Sequence, residues 1–222
     1  FIDLSIAGMG KYRGGPAKTA IVASSILGTI SGSAVANTVT TGAFTIPLMK
    51  KTGYNKTFAG AVEAVASTGG QIMPPIMGAS AFIIAAYLGV PYFDIAIAAI
   101  IPAILYYVCL YFQVDLRARR IGLVGLPKEQ LPVFSQVIKK GFYYFIPLVI
   151  IIFLMAIGKS PMSSGLYAII ATILVAAIRR ASRITLKNFM IALDLGARAA
   201  IETAVSCAAA GLIIGAIGLT GI

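Results

Sequence analysis

Long apolar runs separated by short basic connections make up most of this chain. No charged residue occurs between Lys18 and Lys50. The centre of this run, 28–38, holds small and hydroxyl-bearing residues, whereas a plain spanning helix fills its centre with large apolar side chains. Ser31-Gly32-Ser33 is also an unfavourable sequence for a helix interior. We therefore predict that residues 18–51 form a re-entrant hairpin, in which two short helices meet at a polar tip.

Length and charge favour this hairpin over the alternative, one long tilted span with a glycine kink. Thr19 to Gly32 is 14 residues, about 21 Å of helix, which is shorter than a hydrocarbon core of roughly 30 Å. Basic residues favour the cytoplasmic side of a membrane, so basic flanks indicate that both ends of the hairpin are cytoplasmic. These flanking residues are Lys11, Arg13, Lys18, Lys50, Lys51 and Lys56.

A second interrupted element follows at 54–88. A helical pattern runs from Thr57 to about Ser67 and then meets a segment, 68–75, that contains Gly-Gly and Pro-Pro. Both pairs interrupt helices. Proline is well accommodated in the first turn of a helix, so we expect the helix to resume directly after Pro75. The pattern predicts a discontinuous transmembrane helix that is broken near mid-membrane.

About four further transmembrane helices and their connections account for the rest of the chain. Residues 1–17 are predicted to be a loop and the end of a preceding helix. The predicted spans are 92–114, two helices within 141–178, and 196–222; the predicted cytoplasmic connections are 115–140 and 179–195. With a re-entrant hairpin, both connections fall on the cytoplasmic side, and they carry much of the positive charge. The predicted fold class is an all-α polytopic membrane protein.

Composition agrees with a bilayer environment. The chain is 59% hydrophobic and 11% charged, whereas soluble domains carry about 25% charged residues. The net charge of +11 is distributed in clusters between apolar runs, so we expect no nucleic-acid partner. Histidine is absent, and Cys109 and Cys207 both lie in apolar runs, so no disulfide framework, transition-metal site or organic cofactor is expected. Because the chain starts at Phe1 and stops within an apolar run, we interpret it as an internal fragment.

The two interruptions are the places where chemistry is expected. Irregular backbone at membrane depth is tolerated where it is buried in protein or lines a cavity. Helix ends there present free carbonyls, near 28–31 and 66–69, and free N–H groups, near 33–35 and after Pro75. Carbonyls and hydroxyls suit Na⁺, and N–H groups suit an anionic substrate. The predicted Na⁺ ligands are Ser31, Gly32, Ser33, Thr68 and Gly69; the predicted substrate contacts are Ser33, Ala34, Asn37 and Gln71.

Structural explanations stand beside these functional ones. Gly28 and Gly32 form a Gly-x-x-x-Gly pair, as do Gly211 and Gly215, and this spacing is typical of close helix packing. Single serine and threonine hydroxyls commonly bond to a carbonyl of their own helix.

Glu63 is an acidic residue within an apolar segment. It lies seven residues after Lys56, or about 10 Å of helical rise, so we expect it near the cytoplasmic interface. A direct role in ion coupling is the alternative interpretation. The chain contains no Ser/His/Asp, Cys/His or paired-carboxylate arrangement, so it is not expected to be an enzyme.

Three segments resemble the large membrane subunit of a tripartite ATP-independent periplasmic (TRAP) transporter. They are GTISGSAVAN at 28–37, IPLMKKTGY at 46–54 and GAVEAVASTGGQIMPP at 60–75. The GGQIMPP form is similar to the subfamily in which the small and large membrane subunits are fused. The resemblance extends over essentially the whole chain.

The resemblance implies a Na⁺-driven importer of organic anions, such as carboxylates, with an elevator mechanism. It implies a substrate-binding protein outside the bacterial or archaeal cytoplasmic membrane, and a small membrane subunit fused to the full-length chain. It also implies two inverted repeats, each with one hairpin and one broken helix; residues 196–222 would begin the second. The alternatives are a Na⁺/anion symporter that needs no binding protein and a membrane scaffold subunit that does not transport.

Overall fold

The computed structural model describes residues 1–127, 129, 131–178 and 185–220. Within these residues the regular structure is entirely helical, which confirms the all-α prediction. The helices in chain order are α1 (Ile2–Met9), α2 (Gly15–Ser31), α3 (Ala34–Lys51), α4 (Lys56–Thr68), α5 (Ala79–Leu88), α6 (Tyr92–Arg120), α7 (Phe134–Gly141), α8 (Ile146–Ala156), α9 (Pro161–Ile178) and α10 (Leu186–Thr220). The chain divides into two compact units: Phe1–Gly78 with Ala96–Phe142, and Ala79–Ile95 with the described residues from Tyr143 onward.

The first unit contains the two packed helices of the hairpin, α2 and α3. They are separated by Gly32 and Ser33, at the place where the sequence predicts the tip. Gly32 has φ +60°, a left-handed conformation that favours glycine, and its N–H donates to the Gly28 carbonyl over 3.2 Å. Ser33 is the N-cap of α3, and its hydroxyl accepts from the Ala36 N–H over 3.3 Å. The tip therefore ends one helix and starts the next within two residues.

The interruption after α4 is longer than the sequence predicted. Gly69–Gln71 forms one 3₁₀ turn, and helix resumes only at Ala79, so the expected resumption directly after Pro75 is wrong. Met77 has φ +53°, which is outside the helical region, and the Gly78 N–H donates to the Gln71 carbonyl over 2.7 Å. This bond closes a loop instead of a helical turn. We call residues 69–78 the helix break.

Helix α6 contacts the hairpin base and α4 through large side chains. Tyr106 and Tyr107 reach the end of α4, and Asp115 pairs with Lys18 of α2. The buried apolar cluster comprises Ala17, Ala20, Ile21, Met49, Tyr54, Ala59, Val62, Ala66, Tyr107, Leu110, Val114 and Ala118. The hairpin, α4 and the described middle of α6 thus share one core.

An ion pair joins the start of α2 to the last turns of α6. Lys18 Nζ lies 2.6 Å from Asp115 Oδ1 and 4.5 Å from the ring centre of Tyr111. Arg13 pairs with the other carboxylate oxygen of Asp115 at 2.5 Å. Lys18 is buried, so this residue, which the sequence places at the hairpin base, contacts protein on all sides.

In the second unit, Phe82 stacks on Tyr92 with ring centres 4.4 Å apart, and α8 packs against α9. Helix α10 begins at Leu186, so the second half of the predicted connection 179–195 is helical. No proline or glycine interrupts 186–195, which explains the longer helix. Several predicted loop residues, Lys128, Arg179, Arg180 and Arg183, lie outside the described residues.

Two of the described helices, Tyr92–Arg120 and Leu186–Thr220, are long and apolar enough to cross a bilayer by length and composition. The predicted span after residue 141 begins with a 3₁₀ turn, Phe142–Phe145, which leads into α8. Together they form one apolar helical segment, Phe142–Ala156.

Candidate functional site

The tip of the hairpin contacts the helix break through backbone atoms, at glycines that have no side chain between the two segments. A methyl group built on Gly28 would lie 2.5 Å from the Cα of Gly70, and one built on Gly32 would lie 1.9 Å from the carbonyl oxygen of Met77. Such distances are closer than real side-chain carbons approach, so no larger residue fits without moving the backbone. The two interruptions found in the sequence are therefore neighbours in the fold.

Ser31, Ser33 and Ala34 surround Gly32 at the end of α2 and the start of α3. Ser31 is exposed, whereas Ser33 and Ala34 are half-buried. The Ser33 hydroxyl accepts a backbone N–H, as described above, and keeps a proton and a lone pair for a further partner. Ala34 is the first residue of α3, so its N–H has no acceptor within the helix. The tip thus offers both oxygen ligands and an N–H donor.

Asn37 of α3 is buried behind the hairpin tip and bonds to the other arm of the hairpin. It is completely buried, and its Nδ2 donates to the Ser24 carbonyl over 2.9 Å. A methyl group built on Gly70 would lie 3.1 Å from the same nitrogen. Gln71 lies in the break with an exposed side chain, and its carbonyl accepts from Gly78. The structure therefore places Asn37 between the two hairpin arms and the break, and Gln71 at the surface of the break.

Thr68 and Gly69 are placed differently from the tip residues. Thr68 is exposed and donates to the Ala64 carbonyl of its own helix over 2.8 Å. A methyl group on Gly69 would lie 2.5 Å from the ring of Tyr106. Gly70, one residue further on, makes the close backbone contact with the hairpin.

Two tyrosines of α6 donate hydrogen bonds to carbonyls near the end of α4. The sequence analysis expected some of these carbonyls to be free. The Tyr107 hydroxyl donates to the Ala66 carbonyl over 3.1 Å, and the Tyr106 hydroxyl donates to the Val65 carbonyl over 2.7 Å. The expectation of a free carbonyl at Ala66 is therefore wrong. Adjacent tyrosines in an apolar helix are the sequence signal for such bonds, because a buried tyrosine hydroxyl usually finds an acceptor.

Glu63 is completely buried within the protein, and its expected position near the cytoplasmic interface stays a prediction. Its carboxylate accepts hydrogen bonds from Ser24 at 3.3 Å and Ser67 at 3.2 Å, and from Thr41 and Thr45. Sequence reasoning passed over Ser24, Thr41 and Thr45. The signal was their position on α2 and α3 at helical spacing, as Thr41 and Thr45 are four residues apart on one face.

A groove of about 340 Å³ lies between α1, α2 and α3. Leu27 and Phe44 give it apolar walls, and its charged lining residue is Asp3. A negative side chain repels anions, so this groove does not fit the anionic substrate that the sequence resemblance implies. No group of three or more His, Cys, Asp or Glu side chains is close enough to hold a metal ion among the described residues.

Helices of spanning length, a two-residue hairpin tip and a helix break in contact with it are features of helical membrane proteins, and of secondary transporters in particular. The family model of the tripartite ATP-independent periplasmic transporter, DctM component, matches residues 1–222. The chain therefore belongs to this family, and the resemblance to the TRAP large membrane subunit is confirmed.

The chain is similar to several relatives, including two that carry the name of a TRAP permease. The chain is 30% identical over 138 residues to the C4-dicarboxylate TRAP transporter large permease protein DctM of Vibrio cholerae, covering 62% of this chain and 29% of the relative. It is 27% identical over 151 residues to the protein of the same name from Pseudomonas aeruginosa, covering 68% and 35%. A Sinorhizobium fredii protein, y4mL, is 29% identical over 155 residues, covering 69% and 36%. The chain spans about a third of the length of these relatives.

Proposed function

We propose that this chain is part of the permease of a Na⁺-coupled secondary transporter that imports organic anions. The observation that carries the proposal is the backbone contact between the hairpin tip and the helix break in a chain of the TRAP permease family. Two relatives are named as C4-dicarboxylate permeases, so C4-dicarboxylates are the first substrates to test.

Na⁺ is proposed to bind at the tip and the start of the break. The candidate ligands are oxygens of Ser31, Gly32, Ser33, Thr68 and Gly69. The C-terminal end of α2 places a negative partial charge at Gly32, and hard neutral oxygens suit Na⁺. The hydroxyl of Thr68 donates its proton to Ala64, and its oxygen still has a lone pair for an ion.

The substrate carboxylate is proposed to bind at the start of α3. The positive end of this helix dipole and the free N–H of Ala34 favour a negative group. Ser33 and Gln71 supply polar side chains on either side of the contact between tip and break. Asn37 is proposed to hold the two hairpin arms in position beside the substrate, since its amide nitrogen is bonded to the Ser24 carbonyl.

The remaining parts of the proposal concern the full-length protein. A soluble binding protein on the outer side of the bacterial or archaeal cytoplasmic membrane delivers the anion. A small membrane subunit, fused or separate, completes the permease. The hairpin and the break then move through the bilayer as part of an elevator. The full-length protein is proposed to contain a second hairpin and broken helix, which begin in 196–222.

Uptake by the full-length protein in proteoliposomes tests this function. The protein, with its small subunit and candidate binding protein, is given labelled C4-dicarboxylates with and without an inward Na⁺ gradient. We expect uptake only when both the gradient and the binding protein are present. Uptake without the binding protein indicates a self-sufficient symporter. No uptake of any organic anion under any of these conditions contradicts transport and favours a scaffold subunit.

Thiol labelling tests the re-entrant topology. Cysteines replace the exposed residues Lys11 and Lys51 one at a time in a full-length protein without other cysteines. Lys18 is less suitable because it is buried in an ion pair. We expect an impermeant thiol reagent to label both positions from the cytoplasmic side only. Labelling of the two positions from opposite sides shows a crossing instead of a hairpin.

A further inference from the structure

Glu63 is an acid buried without a basic partner. Its relative exposure is 0%, and among the residues that the structure describes no lysine or arginine pairs with it. Burial of a carboxylate is unfavourable unless hydrogen bonds replace its lost water. Here four hydroxyls replace the water, from Ser24, Thr41, Thr45 and Ser67. We call Glu63 and these four residues the Glu63 cluster.

The Glu63 cluster joins three helices through one side chain. Ser24 lies on α2, Thr41 and Thr45 lie on α3, and Glu63 and Ser67 lie on α4. Oε1 accepts from Ser24, Thr41 and Ser67, while Oε2 accepts from Thr45. Ser24 and Thr41 also approach each other, with their hydroxyl oxygens 3.2 Å apart. Both arms of the hairpin are thus bonded to α4 and to each other at a single point.

This point lies one helical turn below the contact between tip and break. Gly28 follows Ser24 by four residues on α2, and Asn37 precedes Thr41 by four residues on α3. Gly70 follows Ser67 by three. Residues four apart share a helix face, so Gly28 and Asn37 stand over Ser24 and Thr41, while Gly70 lies in the 3₁₀ turn that directly follows α4 and Ser67. A change in the spacing of the helices at Glu63 is therefore passed directly to the Gly28–Gly70 contact.

The packing around Glu63 leaves little freedom. A methyl group built on Gly42 of α3 would lie 3.1 Å from Glu63 Cγ, so glycine lets α3 approach the acid closely. The four hydroxyl-bearing residues are each at most 2% exposed. Buried hydrogen bonds in such a site are strong, and each unpaired group is costly, so the cluster favours one arrangement of the three helices.

We infer that Glu63 is a positioning residue that holds α2, α3 and α4 together as one rigid element. This inference rests on the proposed function, because it assigns the rigid element to the transport step. The element keeps the proposed Na⁺ ligands at the tip fixed against the break while it moves. Glu63 itself does not contact the ion or the substrate.

Electron paramagnetic resonance distances test the inference without any transport. Spin labels are attached to cysteines at the exposed residues Val39 of α3 and Val65 of α4, in the full-length protein freed of other cysteines. The native Glu63 is expected to give a narrow distance distribution. Glu63→Ala removes the acceptor and is expected to broaden it. Glu63→Gln keeps the length and one carbonyl oxygen, and the hydroxyl of Thr45 can turn to accept from the amide, so a narrow distribution is expected.

Matched variants on neighbouring residues control for general damage. Ser24→Ala removes a hydroxyl of the Glu63 cluster, whereas Ser25→Ala removes one that bonds only to the Val22 carbonyl of its own helix. Thr45→Val and Thr40→Val form a second pair, since the Thr40 hydroxyl bonds to Ala36 and is exposed. We expect broadening for Ser24→Ala and Thr45→Val, and no change for the two controls. These milder variants replace Glu63→Ala if that protein does not fold.

Na⁺-dependent uptake supplies the second measurement. Glu63→Ala is expected to raise the Na⁺ concentration for half-maximal uptake by roughly tenfold, and Glu63→Gln is expected to stay near the native value. Equal distance distributions for the native protein, Glu63→Ala and Thr45→Val overturn the inference. It is also overturned if Glu63→Gln loses Na⁺ dependence while its distribution stays narrow, because the charge itself then binds the ion. If the native protein transports nothing, the proposed function fails, and the distances still decide the role of Glu63.

Discussion

Two Gly-x-x-x-Gly pairs with the same spacing have opposite environments in this protein. In the hairpin, methyl groups built on Gly28 and Gly32 would collide with backbone of the helix break at 2.5 and 1.9 Å. In α10, methyl groups built on Gly211 and Gly215 meet no described atom within 4 Å. The first pair is a site of contact between two interrupted elements, and the second lies on an open face of the described structure.

Buried polar side chains follow the same division. The first unit buries Lys18, Asn37, Thr41, Thr45 and Glu63, all of which are bonded to other helices or to their own. Among its described residues the second unit buries Ser164, whose hydroxyl donates to the Ser160 carbonyl over 3.0 Å. It also exposes many large apolar side chains, among them Leu212, Ile213 and Leu219 of α10. Polar groups in a membrane protein are costly unless protein surrounds them. The first unit is therefore the part of the described chain that is built as a polar site.

The largest expected effect comes from filling the space at the hairpin. Gly28→Ala forces the tip and the break apart, and overpacking of this kind costs about 1–3 kcal/mol. We expect Na⁺-driven uptake by the full-length protein to fall by roughly tenfold or more. Gly60→Ala is the matched control, because a methyl group there meets nothing within 4 Å. The control is expected to leave uptake unchanged and to raise helix stability by roughly 0.5–1 kcal/mol.

The comparison of the two glycine pairs fails if Gly211→Ala reduces uptake as much as Gly28→Ala. That result shows that the open face of α10 is as tightly packed in the full-length protein as the hairpin. Normal uptake by Gly28→Ala shows that the tip and the break tolerate separation, and removes the contact from the transport mechanism.

A second effect, on stability instead of uptake, is expected from the acid–base pairs of the two units. Lys18 and Asp115 have side chains 4% and 20% exposed, whereas Arg198 and Asp194 are 73% and 61% exposed. Lys18→Met leaves Asp115 with Arg13 alone and is expected to lower the free energy of unfolding by roughly 1.5–3 kcal/mol. Asp194→Asn breaks an exposed helical pair and is expected to cost at most about 0.5 kcal/mol.

Melting temperatures of the purified full-length variants in detergent measure this difference. We expect a clear decrease for Lys18→Met and almost none for Asp194→Asn. Equal decreases contradict the division between a polar packed unit and an open apolar one. Partial recovery in Lys18→Met combined with Asp115→Leu would show that the decrease comes from an Asp115 carboxylate left without its lysine partner, and not from lost packing of the lysine stem.

The sequence predicted the helical class and the two interruptions because both depend on local composition. Ser31-Gly32-Ser33 and Gly69-Gly70 are unfavourable in helix interiors wherever they occur, and both positions end helices in the structure. The sequence did not predict that the loop continues beyond Pro75 to Gly78, because Met77 adopts a positive φ and methionine is not a residue type that indicates this conformation. The predicted start of α10 was too late in the chain, because the polar residues before Gly196 were interpreted as a loop.

The partners of the candidate site could not be derived from local sequence. Tyr106 and Tyr107 bond Val65 and Ala66 across 41 residues of chain, and Ser24 reaches Glu63 across 39. Linear distance from Lys56 placed Glu63 near an interface, but its environment is set by α2 and α3 packing over it. Hydrogen bonds between helices depend on which faces meet, and only the tertiary structure gives that.

The central claim is that Na⁺ binds at the hairpin tip beside the helix break. Its most direct test is the Na⁺ dependence of uptake by full-length Ser33→Ala and Thr68→Ala, with Thr40→Ala as control because the Thr40 hydroxyl bonds only within α3. Loss of one hydroxyl ligand is expected to raise the Na⁺ concentration for half-maximal uptake by roughly tenfold, the factor that about 1.4 kcal/mol produces. The control and membrane expression are expected to be unchanged. An unaltered Na⁺ dependence in both Ser33→Ala and Thr68→Ala contradicts the assignment of the ion to this site.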